Sequence, residues 1–566
     1  MKKIILLIAA LTMSYAMAAA QGCLPEGITF TTQEQIDNFQ TNYPECTEIE
    51  GDVIIDDNWT GNINNLNGLI VLTSIDSNLF IGYNPALTGL AGLDNLISIG
   101  SDLIIYDNDA LASLTGLDNL TSIGGFLWIE NNNALTSLTG LENLTSIWGH
   151  LWICQNNALS SLTGLENLTS IGGDLYIYGD NDALASLTGL DNLTSIGGDL
   201  SIYGNVALTS LTGLENLTSV GGGLYIDLND ALASLTGLDN LTSIWSDLRI
   251  SYNSSLTSLT GLDNLTSIEG DLHIYDNYVL ASLTGLDNLT SIGGYLEIVG
   301  NNALASLTGL ENVTDIYGHL KIEVNTALTD LTGLNNLTTI WWGDLLISGN
   351  DSLTTLSGLE NLASIGGSII IGYEGGFFTS GNPSLTSLTG LENLTSIGGT
   401  FKISYNNTLT SLTGLDNIAA GSITNLQIMY NSSLSTCEVQ SICDYLAAPN
   451  GTVTIYNNAP GCNNEAEIIE ACETVGIEEA VAGSDFSIYP NPFTSQLSIE
   501  FTLPKTSIVS IQIFNAMGAK IAELHHGQLP AGQQQFTWHA GHLPKGMYFC
   551  RVQSGQEMEA FKIVKQ

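Results

Sequence analysis

Basic residues are scarce in this chain. Only 11 of its 566 residues are Lys or Arg, against 57 Asp or Glu, which gives a net charge of −46. A nucleic-acid-binding surface needs clustered positive charge to meet the phosphates. We therefore expect no nucleic-acid partner. The apolar share of 44% is ordinary, so the chain can still bury a large core.

Histidine is also rare, and no catalytic motif is present. Of seven His, three stand alone in the middle of the chain, and no H-E-x-x-H or cysteine-rich zinc spacing occurs. An enzyme needs a local group of acids, bases or nucleophiles, so we expect no catalysis. The enzymatic alternative is a β-helix polysaccharide-acting enzyme, which would need an acid cluster with a nearby Arg or Lys.

Long apolar runs are confined to the N-terminus. Lys2 and Lys3 precede an apolar run, and Ala18, Ala19 and Ala20 form a small-residue cleavage site. This pattern predicts a secretory signal peptide over residues 1–20. The run is short for about 30 Å of hydrocarbon, so we expect no transmembrane segment after cleavage.

The few basic residues divide the chain into parts. Residues 21–485 carry 53 acids and three bases, a net charge of −50, whereas residues 486–566 carry four acids and six bases. The body and the C-terminal segment are therefore expected to do different work.

The body is a repeat. The signature G-L-[DE]-N recurs mostly every 24 residues, and such a period indicates a stacked solenoid. Within one coil, Leu111, Leu114, Leu117, Leu120 and Ile123 are spaced by three, which predicts a tight arc. The alternation of the following Leu-x-Ile-x predicts one short strand. The fold class is therefore all-β, a leucine-rich-repeat-like solenoid of about 15 coils of 24 residues.

An Asn stands three residues before the first Leu of every arc. Its side chain carries both donors and an acceptor, so stacked coils are expected to satisfy buried turn backbone through an Asn ladder. The column comprises Asn84, Asn108, Asn132, Asn156, Asn181, Asn205, Asn229, Asn253, Asn277, Asn301, Asn325, Asn350, Asn382, Asn406 and Asn431.

Residues 46–55 and the later I-x-G-x-L-x-I units resemble receptor L-domains. The resemblance spans roughly residues 40–475 and implies a right-handed β-helix with a binding function and no catalytic residues. The chain departs from that family in its long run of regular coils with few internal cysteines.

Cysteines cluster at the two ends of the body, where a solenoid needs caps. They predict an N-terminal cap over residues 21–62, a solenoid over 63–436, a C-terminal cap over 437–475 and a linker over 476–485. Cys23–Cys46 is the natural disulfide in the first cap. For the second cap we favour Cys437–Cys462 with Cys443–Cys472, although spacing does not fix the connectivity. Cys154 and Cys550 are left over.

The C-terminal segment, residues 486–566, shows alternating strands separated by turns, which predicts a small β-sandwich. Its motifs are Tyr489, Pro490, Asn491, Pro492 and Phe493, a central Gly518, Gly546 in the strand that follows Leu543, and the terminal run from Lys562. They resemble the C-terminal sorting domain of the type IX secretion system of Bacteroidetes. The resemblance implies contact with that machinery, passage across the outer membrane, and an extracellular or outer-membrane-surface location.

A column of carboxylates follows each G-L pair, beginning with Asp94, Asp118, Glu142 and Glu166. We interpret it as a solvated turn whose side chains accept from nearby backbone. The alternative is Ca²⁺ bridging between coils, because clustered carboxylates suit that cation. Asp and Glu interchange freely, which argues against a fixed coordination geometry, so no cofactor is expected.

The outward positions of the Leu-x-Ile-x strands vary from coil to coil. Aromatic residues concentrate in the N-terminal half, and all three bases of the body lie in the same columns. Such variation on a uniform scaffold indicates a recognition surface for a glycan or a protein, while packing between neighbouring rings is the alternative. A further alternative is ice binding by the Thr and Ser rows. The candidate strip is Tyr106, Trp128, Trp152, Tyr176, Tyr178, Tyr203 and Tyr225, with Arg249 beside it.

Overall fold

The computed structural model describes residues 22–375, 378–475, 487–503, 505–515, 519–541, 543–554 and 557–566. The predicted signal peptide over residues 1–20, the predicted linker over 476–485 and Gly518 lie outside these ranges. The chain divides after Cys472 into two compact units.

The first unit is a β-solenoid in which consecutive coils pair in parallel and in register. The longer strand of each coil joins one parallel sheet of 18 strands, which we call the long-strand sheet. At about 4.8 Å per strand the sheet extends about 80 Å. Its strands are Ile28–Phe30, Val53–Ile55, Leu79–Gly82, Leu103–Tyr106, Leu127–Glu130, Leu151–Cys154, Leu175–Tyr178, Leu200–Tyr203, Leu224–Asp227, Leu248–Ser251, Leu272–Tyr275, Leu296–Val299, Leu320–Glu323, Leu345–Ser348, Ile369–Ile371, Thr400–Ser404, Asn425–Met429 and Val453–Tyr456.

The prediction of 15 coils is corrected to about 18 turns. Three strands lie in the predicted caps, namely Ile28–Phe30, Val53–Ile55 and Val453–Tyr456. These segments lack the G-L-[DE]-N signature, so counting signatures misses them. The caps therefore continue the long-strand sheet at both ends.

A second correction concerns the number of strands in each coil. The sequence predicts one strand per coil, but the arc itself ends in another short strand. Most coils carry a two-residue strand before the Gly pair, and 15 of these form another parallel sheet, called here the short-strand sheet. Two residues are too few to show a period of two. The strands are Glu48–Ile49, Ser74–Ile75, Ser98–Ile99, Ser122–Ile123, Ser146–Ile147, Ser170–Ile171, Ser195–Ile196, Ser219–Val220, Ser243–Ile244, Ser267–Ile268, Ser291–Ile292, Asp315–Ile316, Thr339–Ile340, Ser364–Ile365 and Ser396–Ile397.

The core is a set of aliphatic columns that run through the coils. In the coil that begins at Leu111, the residues Leu111, Leu114, Leu117, Leu120 and Ile123 are all fully buried. They join the inward Leu and Ile of the long strands in one continuous cluster. The spacing of three along the arc is therefore confirmed as the spacing of the core.

The Asn ladder is confirmed. The side chain of Asn108 is fully buried, and its Nδ2 donates to the Ile81 carbonyl at 2.9 Å and to the Tyr106 carbonyl at 3.1 Å. The backbone N–H of Asn108 donates to Oδ1 of Asn132 in the next coil at 3.2 Å. Asn108 thereby satisfies turn backbone both within its coil and between coils, and most of the column makes the same contacts.

The Gly of the repeat signature allows coils to stack closely. Gly116 has φ +116°, a conformation that residues with a side chain resist. A Cβ at this position would also overlap the Leu90 carbonyl of the preceding coil. Both the dihedral angle and the spacing of the coils therefore require glycine here.

The solenoid caps contain the helices and the disulfides. The helices are Gln33–Asp37 and Phe39–Asn42 at the N-terminal end, and Gln440–Ala447 and Glu465–Val475 at the other. The pairs Cys23–Cys46, Cys437–Cys462 and Cys443–Cys472 are the ones favoured from sequence. Cys154 and Cys550 are free. Short 3-10 turns lie at Asn67–Leu69 and Ala420–Ser422, and a hairpin of Tyr373–Gly375 and Phe378–Ser380 extends one coil.

The second unit is the predicted β-sandwich. Two antiparallel sheets enclose one apolar core that includes Phe493, Leu497, Val509, Tyr548 and Ile563. One sheet contains Ser487–Tyr489, Gln496–Leu503 and Gly532–His539, and the other contains Lys520–Leu529, Ser507–Asn515, Gly546–Ser554 and Glu557–Lys565.

Candidate recognition face

The outward side chains of the long-strand sheet form the candidate face. In the four-residue strands the Leu and Ile point into the core; the residue after the Leu is partly accessible in most coils, and the residue after the Ile is accessible in some and buried in others. Because the strands pair in register, side chains at the same position in neighbouring coils lie side by side. The columns predicted from sequence therefore lie on this face, although Asp227, Ser348 and Ser404 among them are buried.

The predicted aromatic residues form two runs of ring contacts along the face, one in each outward column. The ring centroids of Trp128 and Trp152 are 5.2 Å apart with an angle of 14° between the rings. The ring centroids of Trp152 and Tyr176 are 5.3 Å apart. Tyr106 contacts Trp128 edge-on, with ring centroids 6.4 Å apart. In the adjacent column Tyr178 stacks on Tyr203 at 4.4 Å and 9°. All seven predicted aromatic residues are placed on this one face.

Ring stacking along the solenoid determines what the strip offers to a ligand. Both sides of the Trp152 ring have an aromatic neighbour, so its broad faces are largely occupied. Trp152 is nevertheless 37% exposed and Tyr178 40% exposed. The accessible parts are therefore mainly ring edges and polar tips. Such a surface suits contacts with a protein better than flat stacking on a sugar ring.

The strip extends further toward the N-terminus than the sequence predicted. Tyr83 contacts Tyr106 at 5.4 Å, and Trp59 contacts Tyr83 at 5.9 Å. Both residues lie in turns just after their strands rather than in the Leu-x-Ile-x columns. A search that included the residue after each strand would have found Tyr83. Trp59 follows a cap strand that carries no repeat signature.

Arg249 lies beside the aromatic strip and is held by an ion pair. Its Nε and Nη2 atoms donate to the carboxylate of Asp227, with the Nη2 contact at 2.5 Å. Its guanidinium carbon lies 5.1 Å from the centroid of the Tyr225 ring. Ser251 also donates to Asp227. Asp227 is buried, so the paired guanidinium is the part of this group that a ligand meets.

Beyond Arg249 the face becomes charged. His273 Nδ1 lies 3.1 Å from Glu297 Oε2, and Tyr275 contacts both side chains. The hydrogen bond to Glu297 raises the pKa of His273, and the same hydrogen bond lowers the pKa of Glu297. Lys321 pairs with Glu323 at 2.9 Å in the next coil. The aromatic strip is therefore followed by a short charged stretch that runs from Arg249 to Lys321.

Cys154 lies within the aromatic strip but offers no reactive thiolate. Burial raises the pKa of its thiol to about 12, with smaller contributions from Glu130 and Asp180. Glu130 accepts a hydrogen bond of 2.6 Å from Trp128 Nε1. At neutral pH the thiol is protonated, so it is a poor nucleophile.

The carboxylate column serves the backbone of its own coil. Asp94 and Asp118 each accept the N–H of the Gly two residues earlier at 2.7 Å, and Glu142 and Glu166 do so at 2.9 and 2.8 Å. Asn335, which interrupts the column, makes the same contact at 3.1 Å. Among the described residues no group of three or more His, Cys, Asp or Glu could hold a metal ion. The geometry supports the turn interpretation.

Chelation is expected to leave the protein's stability unchanged. If the carboxylates serve the backbone, adding EDTA or millimolar Ca²⁺ should not shift the melting temperature of the purified protein. Differential scanning fluorimetry measures this directly. A rise in melting temperature with Ca²⁺ that EDTA reverses would restore the calcium interpretation.

The hydroxyl rows proposed for ice binding make hydrogen bonds inside the solenoid. The Ser137 and Thr139 hydroxyls lie 2.9 Å apart, and the same pair recurs at Ser210 and Thr212 at 3.0 Å. In the outer row Thr209 donates to the Ala185 carbonyl of the preceding coil at 3.2 Å. These contacts give both rows a structural role.

The first part of the sorting motif is hydrogen-bonded to the last strand of the second unit. Asn491 Nδ2 donates to the Lys562 carbonyl at 2.9 Å, and its Oδ1 accepts from the Val564 N–H at 2.8 Å. Phe493 is buried in the sandwich core. Tyr489 ends the first strand of this unit, and Pro490 connects it to Asn491. Gly546 begins another strand. The first and last motifs of the segment therefore meet in one structure.

Two family models match the chain. Residues 487–566 match the secretion system C-terminal sorting domain, and residues 312–413 match the receptor L domain. The receptor L-domain match covers only part of the stretch over which the sequence resembles that family. No curated protein matches the chain.

The chain is thus a receptor-L-domain-like β-solenoid that carries a type IX C-terminal sorting domain. The sorting domain implies handling by the type IX secretion machinery and export to the cell surface or the extracellular space. None of the described helices has the length and apolar character to cross a membrane.

Proposed function

We propose that the protein is a non-catalytic recognition or adhesion protein that binds an extracellular protein through the long-strand sheet. The observation that carries the proposal is the aromatic ladder, which runs from Tyr106 to Tyr176 with Tyr178 and Tyr203 stacked in the adjacent column, on the variable face of an otherwise uniform scaffold. Aromatic side chains in register give a ligand a rigid surface at little cost in conformational entropy.

A protein ligand is favoured over a glycan by two features of this face. Trp152 has an aromatic neighbour on each side, and Tyr178 and Tyr203 cover one face of each other, so stacking of a sugar on these covered faces would require the ladder to open. The aromatic strip also adjoins the Arg249–Asp227 ion pair, whose guanidinium lies over the Tyr225 ring. Aromatic anchors next to Arg and paired charges are typical of protein–protein hot spots.

The experiment is a binding screen of the purified protein against arrays of extracellular proteins and of glycans. The double variant Trp128→Ala/Trp152→Ala is screened in parallel. We expect protein ligands whose signal falls in the double variant. Ligands that bind both forms equally would contradict this use of the face, and ligands found only on the glycan array would contradict the protein assignment.

Export is expected to depend on the sandwich unit. In a bacterium with type IX secretion, deletion of residues 487–566 should leave the protein inside the cell, because the matched sorting domain is removed. Immunoblots of culture medium, cell surface and cell contents measure the distribution. The control deletes one 24-residue coil, residues 101–124, which should still be exported. Surface display of the truncated chain would contradict the role of this unit.

A further inference from the structure

Exposed tryptophans occupy a second place on the coil, away from the strip. This place is the corner that follows each short strand and precedes the next long strand. Most coils have Gly directly after the short strand, whereas three have Trp, and one of these has a second Trp after the first. We call these residues the corner row: Trp148, Trp245, Trp341 and Trp342.

The corner row is open to solvent. Trp148 is 75% exposed, Trp245 68% and Trp342 81%. Across the described part of the chain, these three indoles contact no other aromatic ring and their Nε1 atoms have no hydrogen-bond partner. Trp341 differs, because its Nε1 donates to Asp315 Oδ1 at 3.0 Å and its ring stacks on Tyr317. Three tryptophans therefore present ring faces that no neighbour covers, in contrast to the strip.

Folding does not account for these side chains. At the equivalent position a Cβ on Gly197 would overlap the Gly172 carbonyl oxygen, and a Cβ on Gly366 would overlap that of Trp341. Stacking of the coils therefore favours glycine at this corner. A large apolar ring placed there gains little burial, and Trp342 lies in a coil lengthened to 25 residues at this corner. The exposed rings are better explained by a ligand than by stability.

The corner row is evenly spaced. The short strands pair in register, so equivalent corners lie in line from coil to coil. Trp148 and Trp245 are four coils apart, and Trp245 is again four coils from the corner that carries Trp341 and the open Trp342. At about 4.8 Å per coil each interval is about 19 Å. A ligand that repeats along its length can contact every member of such a row in the same way.

The surface between Trp148 and Trp245 is almost free of side chains. Its three intervening corners consist of Gly172-Gly173, Gly197-Gly198 and Gly221 to Gly223. Beside these glycines, Asp174 Oδ1 accepts the Asp199 N–H at 2.7 Å, and Asp199 Oδ1 accepts the Gly223 N–H at 2.7 Å. A chain lying between the two tryptophans would therefore meet bare backbone bordered by carboxylate acceptors, which suit hydroxyl donors.

We propose that the corner row binds a linear, uncharged polysaccharide that runs along the solenoid, with sugar rings stacked on Trp148, Trp245 and Trp342. Open indole faces suit the apolar face of a sugar ring, and equal intervals suit a repeating polymer. The body carries a net charge of −50, which repels anionic polymers. This site uses residues other than the strip, so it goes beyond the recognition proposed for the long-strand sheet.

The first test measures binding of the purified protein to cellulose, chitin, laminarin and mannan, with alginate as an anionic polymer and phosphatidylcholine vesicles as a lipid surface. We expect binding to at least one neutral polymer and none to alginate. Each Trp→Ala change at positions 148, 245 and 342 should weaken it roughly three- to tenfold. Tyr278→Ala, which removes a ring that is 47% exposed elsewhere, should leave binding unchanged.

The second test changes the spacing without removing a tryptophan. Deletion of residues 198–221 removes one 24-residue coil between Trp148 and Trp245, and deletion of residues 101–124 removes one outside the row. The first deletion should weaken binding of the long polymer several-fold, because simultaneous contacts depend on geometry. It should not change binding of a short oligosaccharide that reaches one Trp. The second deletion should change neither.

Three results would overturn the proposal. If the protein bound none of the neutral polymers, a neutral polysaccharide would be excluded as the ligand. Trp-dependent binding to vesicles alone would assign the corner row to a lipid surface. Equal effects of the two coil deletions would show that spacing has no role. The Trp→Ala variants leave every residue of the strip in place. The two coil deletions remove Tyr203 and Tyr106 of the strip, so they are compared on polysaccharide binding only.

Discussion

Replacing Asn229 by Ala is expected to destabilise the middle of the solenoid by about 3 to 5 kcal/mol, since each buried polar group left without a partner costs about 1–3 kcal/mol. The side chain is fully buried. Its Nδ2 donates to the Ile202 carbonyl at 2.9 Å and to the Asp227 carbonyl at 3.0 Å. Its Oδ1 accepts from the Asn205 N–H at 3.1 Å. Ala makes none of these bonds and leaves too little room for bulk water.

The matched control lies in the same coil. Asn240 donates to the Glu215 carbonyl at 2.7 Å from an exposed position, so water can replace it and Asn240→Ala should cost about 1 kcal/mol or less. Urea unfolding and hydrogen exchange of the neighbouring strands measure both variants. Because a solenoid's stability is a sum over neighbouring coils, protection should be lost first around the altered coil. Equal losses in the two variants would contradict the ladder.

The double variant Trp128→Ala/Trp152→Ala is expected to weaken binding of a protein ligand about a thousandfold, or about 4 kcal/mol, if each ring is a hot spot of about 2 kcal/mol. The two rings stack on each other and contact the flanking Tyr106 edge-on and Tyr176 at a tilt. Their removal therefore takes away the centre of the ladder. Surface plasmon resonance with a ligand from the screen measures the change.

Two controls separate binding from folding in that experiment. Trp128→Phe/Trp152→Phe retains aromatic rings and should lose less affinity than the alanine variant. Tyr278→Ala removes an exposed ring outside the strip and should bind normally. The core leucines beneath the strip are fully buried and unchanged, so circular dichroism and hydrogen exchange should show an intact solenoid in all three variants. A ligand that still binds the alanine variant at full strength would exclude the strip.

The 24-residue period predicts most of the fold, because every stacked coil needs the same buried, turn and close-packed residues at the same positions. Leu111, Leu114 and Leu117 face the core at every third position, and each coil needs the same Asn and Gly for its turns. The two-residue strands were missed, since Ser122–Ile123 is too short to alternate. The cap strand Ile28–Phe30 was missed because it joins the sheet without the repeat signature.

The outward face was predictable as a set of residues but not as a surface. Alternation along each strand places Trp128, Trp152 and Tyr178 outside the core. Whether their ring faces are open depends on side-chain packing between coils, and the structure shows them stacked. Trp148 and Trp245 went unrecognised because they stand where the repeat has Gly and outside the strand pattern. Departures from a repeat deserve the same scrutiny as the repeat itself.

The most direct measurement of the central claim is the binding of one array-selected protein ligand to the wild-type chain, the Trp128→Ala/Trp152→Ala variant and the Tyr278→Ala variant, all shown to be folded. If the long-strand face is the recognition surface, the dissociation constant should rise about a thousandfold in the double variant alone. Equal dissociation constants for the three proteins would contradict the account.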